Sequence, residues 1–89
     1  MHLRQSGFSA MYIQRTRLPA GFRQPPAQDA SHRIVTVVSG TLHIGFGDSF
    51  DEKTTMPMTR GHTWTIPARK SYYLWAKEGE VMVQVVSNG

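Results

Sequence analysis

At 89 residues the chain has room for one domain, spanning 1–89, and a domain this small buries only about 60% of the surface that its unfolded chain exposes, so oligomerisation is an expected source of stability. The absence of cysteine excludes a disulfide framework and any thiolate metal site. Ten Lys and Arg against six Asp and Glu give a formal charge of +4, which raises nucleic acid as a partner. The distribution argues against it: only Arg69 and Lys70 are adjacent and no basic stripe forms, so a solvated basic surface is the reading. Residues 1–6 lack the apolar run of a signal peptide and no stretch approaches a membrane span, so a cytoplasmic protein without a membrane partner is expected.

Residues 8–18 are rich in aromatic and β-branched side chains and end at Pro19-Ala20-Gly21, which predicts a strand entering a turn with Tyr12, Gln14 and Thr16 on one face. Phe22-Arg23-Gln24 is cut by Pro25-Pro26, whose missing ladder donors place it at an edge or bend. Residues 27–32 read as a polar loop. Ile34-Val35-Thr36-Val37-Val38 is the clearest strand, stopped by Ser39-Gly40. After it, Thr41-Leu42-His43-Ile44 alternates, with Leu42 and Ile44 facing the core, Thr41 and His43 facing outward and Gly40 as a hairpin corner. Residues 45–58 are predicted as a loop. Gly61 opens a strand in which Trp64 and Ile66 share a face, and Pro67 stops it. Tyr72-Tyr73-Leu74-Trp75 is the next strand, and Glu78-Gly79-Glu80 turns into residues 81–86, whose continuous apolar character suggests a strand covered on both sides. Nothing has helical periodicity. Six or seven short strands with Gly and Pro punctuation imply a sandwich or a closed barrel.

Two segments resemble the motifs of the cupin superfamily. Gly21 and Gly40 bracket the first, with Val37-Val38-Ser39-Gly40-Thr41-Leu42 matching its strand-Gly-strand corner. Gly61 followed by Ile66-Pro67-Ala68 is similar to the second. The resemblance covers most of the chain from Pro19 to Val86 and implies an all-β, cupin-type double-stranded β-helix, or jelly-roll, barrel. It also implies where a metal would be held, by two His and a Glu from the first motif and a His from the second. Those positions carry Ala27, Asp29, Arg33 and Tyr72. Alanine has no ligating atom, arginine repels a divalent cation, and the tyrosine phenol stays protonated near neutrality. Arg69 stands where the second motif has glycine, which puts that turn's conformation in question.

The expectation is therefore a small-molecule binding module without a metal or other cofactor, with its pocket at the barrel mouth around Asp29, Arg33 and Tyr72, and with Gln84 as a lining residue. Because the former ligand positions converge in a metal cupin, Arg33 should turn inward, pair with Asp29 and present donors to an anionic ligand. Two other readings stand beside this one. One is a cupin-type isomerase, epimerase or dioxygenase whose metal site is rebuilt from Asp29 and His32; the other is a structural protein with a filled barrel. Among the remaining histidines, His43 reads as a surface or dimer-contact residue, His62 as a turn residue and His2 as part of the terminus. Trp64 is assigned to the core. A homodimer is expected, because a barrel of this size leaves apolar strand surface open.

Overall fold

The β-branched and aromatic runs form eight strands in the computed structural model, which describes residues 11–88. They are β1 (Met11–Leu18), β2 (Arg23–Ala27), β3 (Arg33–Ser39), β4 (Leu42–Phe46), β5 (Met56–Met58), β6 (Thr63–Ile66), β7 (Tyr72–Trp75) and β8 (Val81–Asn88), with one 3-10 turn at Glu52–Thr54. Two four-stranded sheets have the orders β1-β8-β3-β6 and β2-β7-β4-β5, and all pairings are antiparallel. This is a jelly roll, in which successive strands other than β4 and β5 alternate between facing sheets. Residues 8–10 of the first predicted strand lie outside the described residues.

Period-two alternation fills the space between the sheets. Val35, Val37, Val81 and Val83 from one sheet meet Leu42, Ile44, Tyr72 and Leu74 from the other, all buried. Trp64 packs on this cluster and stacks with Phe46 at 5.8 Å between ring centroids, as assigned from sequence. Pro25 and Pro26 lie in β2, an edge strand, where the register with β7 shifts between Gln24 and Ala27. An edge tolerates them because the outer ladder has no donor to lose.

Four details depart from the sequence reading. Gly40 turns at φ +81° as expected of a corner, but β3 and β4 lie in different sheets, so the corner carries the chain across the barrel rather than closing a hairpin. Residues 45–58 are not all loop, because β4 continues through Phe46 and β5 pairs with it. β8 is central in its sheet, yet Met82, Gln84 and Val86 on its outer face remain half-exposed, with no layer over them among the described residues. Its apolar run reflects a strand with neighbours on both edges, not on both faces.

The fourth departure is His43, which is 8% exposed although it does face outward from β4. Its Nε2 lies 2.8 Å from Glu78 Oε1 and its ring sits beside Trp75. The 47–55 segment folds over this outer face of the second sheet and brings Phe50 against Tyr73 and Trp75. Tyr73 fits there because Gly45 has no side chain, and a Cβ at that position would run into the Tyr73 ring. Arg23 lies over Phe50 and Trp75 and pairs with Glu52. The sheet is thus packed on both faces, and His43 belongs to the outer layer.

Candidate ligand-binding site

Asp29 and Arg33, four residues apart, and the distant Tyr72 meet at one end of the barrel. Arg33 opens β3 on the same face as Val35 and Val37, so strand alternation alone turns it inward. Its Nε lies 2.9 Å from Asp29 Oδ2. Tyr72 opens β7 on the inner face and its hydroxyl donates to the same Oδ2 at 2.9 Å.

Asp29 sits in the β2–β3 loop, which is tied to the β6–β7 turn. The Arg69 amide donates to the Asp29 carbonyl at 2.7 Å, and the Ala68 amide donates to His32 Nδ1 at 3.0 Å. Arg69 makes the first of these bonds at φ +63°, so the turn keeps the left-handed conformation that glycine favours although arginine occupies the position.

The centre is shielded without being sealed. The Arg33 and Asp29 side chains are 34% and 22% exposed, and Tyr72 is 6% exposed. Burial pushes the Tyr72 phenol above its ordinary value, and the hydrogen bond and charge of Asp29 act in the same direction, while the Gln24 amide and the Arg33 guanidinium oppose them. The phenol is therefore neutral at physiological pH and serves as a donor.

Behind this centre a cavity of about 100 Å³ runs into the barrel. Thr16, Gln24, Arg33 and Tyr72 supply its polar lining, and Leu18, Val83 and Val85 are among the residues on its apolar walls. Gln24 was not visible as a site residue in the sequence. Its pairing opposite Leu74 sends it inward, and neither a neighbouring arginine nor the following prolines announce that.

Among the described residues, Gln24 Nε2 and Arg33 Nε are buried side-chain donors without an acceptor. For Arg33 this stands beside the short separation from Asp29. The two charges are in contact, but the Nε–H bond is not directed at the carboxylate, so the pair is Coulombic rather than an aligned hydrogen bond. The Gln24 amide likewise faces the phenol without an aligned bond.

Gln84 is a correction. It lies on the outer face of β8, where Arg15 Nε donates to its Oε1 at 3.3 Å, and it does not reach the cavity. Val81, Val83 and Val85 take the inner face, so the alternation within Val-Met-Val-Gln-Val already carried the signal that the reading of a uniform apolar strand obscured.

The metal chemistry of such a barrel does not fit these residues. No group of three His, Cys, Asp or Glu side chains among the described residues is placed to hold an ion. The one carboxylate at the centre already contacts a guanidinium and a phenol. His32 is engaged with the Ala68 amide, and His62 Nδ1 accepts from the Thr59 amide at 3.1 Å in its turn. His2 lies outside the described residues. Among the described residues no helix is long and apolar enough to cross a membrane.

Solved structures superpose closely on this arrangement. A cupin superfamily protein from Desulfitobacterium hafniense DCB-2 matches with a TM-score of 0.75 at 16% identity, over 99% of this chain and 73% of that one. The fold is the cupin fold. A cupin-2 domain protein from Shewanella frigidimarina matches at TM-score 0.74 and 18% identity, over 91% of this chain and 72% of that one. An oxalate oxidase gives 0.75 and 21%, and there this chain spans only 43% of the longer protein. By sequence alone, no family model and no curated protein matches the chain. Cupins of such different kinds share the barrel, so the fold leaves the activity open.

Proposed function

We propose that this cupin-fold chain is a binding module for a small organic anion, held in the barrel mouth without a metal ion. One observation carries the reading: Gln24 Nε2 and Arg33 Nε are buried beside an internal cavity without an aligned acceptor. Unpaired buried donors are costly, on the order of 1–3 kcal/mol each, and a ligand oxygen relieves that cost. Binding rather than catalysis is favoured because the Tyr72 phenol is held neutral and its O–H donates to Asp29, whose carboxylate also contacts Arg33, which leaves no unengaged base at the centre.

Thermal denaturation against a panel of small organic acids tests the reading. The acids are expected to raise the melting temperature of the native protein and to leave a folded Arg33→Met variant unchanged. Equal responses from the two proteins, or no response from either, would reject it.

A homodimer belongs to the same proposal. Ile13 and Ile34 are 65% and 41% exposed on the outer face of the first sheet, where both pair with Val86 on the intervening strand. Covering this patch with its own copy removes apolar surface that a small barrel otherwise leaves in water. Light scattering coupled to gel filtration should give twice the 10.0 kDa chain mass, and Ile34→Lys should return the monomer. A wild-type monomer at tens of micromolar rejects the dimer.

A further inference from the structure

The two unpartnered polar atoms are both donors, and that asymmetry narrows the ligand. Among the described residues no buried side-chain acceptor is left free. An amide or a protonated acid spends part of its polar head on an N–H or O–H that these two donors cannot receive. A carboxylate brings only acceptors, which Gln24 Nε2 and Arg33 Nε satisfy.

The rest of the lining is different. Leu18, Val35, Leu74, Val83 and Val85 supply it together with Thr16, and a second carboxylate pushed among them would be desolvated with at most one hydroxyl to partner it. A short alkyl tail meets no such penalty. Size sets its length: an apolar cavity of about 150 Å³ holds benzene, so about 100 Å³ takes roughly four heavy atoms, with the carboxylate reaching toward the more open mouth.

Resting on the anion-binding reading above, we propose that the ligand is an aliphatic monocarboxylate of about three to five carbons, its head between Gln24 and Arg33 and its tail against the valines of β8. Gln24 selects the ionised head, and the valines exclude diacids.

Isothermal titration of the full chain with sodium acetate, propionate, butyrate, valerate, hexanoate and octanoate, and with succinate and butyramide, tests this. Affinity is expected to peak between propionate and valerate and to fall for hexanoate and octanoate. Succinate and butyramide should each bind about tenfold or more weakly than butyrate, the scale of one lost charge-assisted hydrogen bond. Gln24→Met, which keeps the bulk and removes the amide, should weaken butyrate by a similar factor. Val85→Leu, a mild filling of the tail end, should move the optimum to shorter acids.

Succinate or butyramide binding as tightly as butyrate, or affinity that ignores chain length, overturns the proposal while the anion site stands. Failure of every acid in the series overturns the anion site itself.

Discussion

Replacing Asp29 with asparagine tests how far the centre is internal, because it keeps the shape of the side chain and removes only the charge. The variant leaves the Arg33 guanidinium beside a neutral amide, while Tyr72 keeps an oxygen to donate to. An exposed ion pair is worth at most about 1 kcal/mol, and breaking a buried one costs about 3–5 kcal/mol. With the two side chains 34% and 22% exposed, the site stands nearer the buried limit. The Nε–H of Arg33 is not aligned on the carboxylate, and discounting for that and for the residual solvent gives about 2 kcal/mol. In a domain of this length such a loss lowers the melting temperature by roughly 8–16 °C. Urea denaturation, with an unchanged m-value as the check that the fold is intact, measures it directly. A loss under about 0.5 kcal/mol would refute the reasoning and place Arg33 effectively in water. The same variant should bind short carboxylates more tightly than the native protein, because a neighbouring negative charge has gone.

The pKa of the Tyr72 phenol is raised above its ordinary value of 10.0, first by burial and then by Asp29, so between that value and the folded one the unfolded chain releases the proton more readily. Stability is fully present below pH 10 and falls as pH rises above it; Tyr72→Phe should flatten this alkaline loss relative to the native protein in paired denaturation curves. Arg69→Gly relieves a left-handed residue at φ +63° and gives back some unfolded-state freedom, so it is expected to raise stability by about 0.5–1 kcal/mol, and a decrease would show that the arginine side chain supports the turn. Elemental analysis of protein purified without chelator should find less than about one-tenth of an equivalent of iron, manganese, nickel or zinc, and EDTA should leave the melting temperature unchanged; a stoichiometric ion lost on Asp29→Asn would reinstate the rebuilt site.

Much of the barrel can be read along the chain, because its causes are local. β-branched runs alternate at period two, and proline and glycine interrupt them where ladders end. The inward turn of Arg33 follows from its phase with Val35 and Val37, and the outward turn of Gln84 follows by the same rule from Val83 and Val85. What the chain does not display is which strands lie opposite each other. That Gly40 crosses between sheets, that His43 is covered by Glu78, and that Gln24 stands across from Leu74 are all consequences of pairing between residues distant in sequence. The same holds for the site. Arg33, Asp29 and Tyr72 are each readable as residue types, but the two donors left without acceptors arise from angles and depths that only the closed barrel sets, since a hydrogen bond depends on direction as well as on who is near.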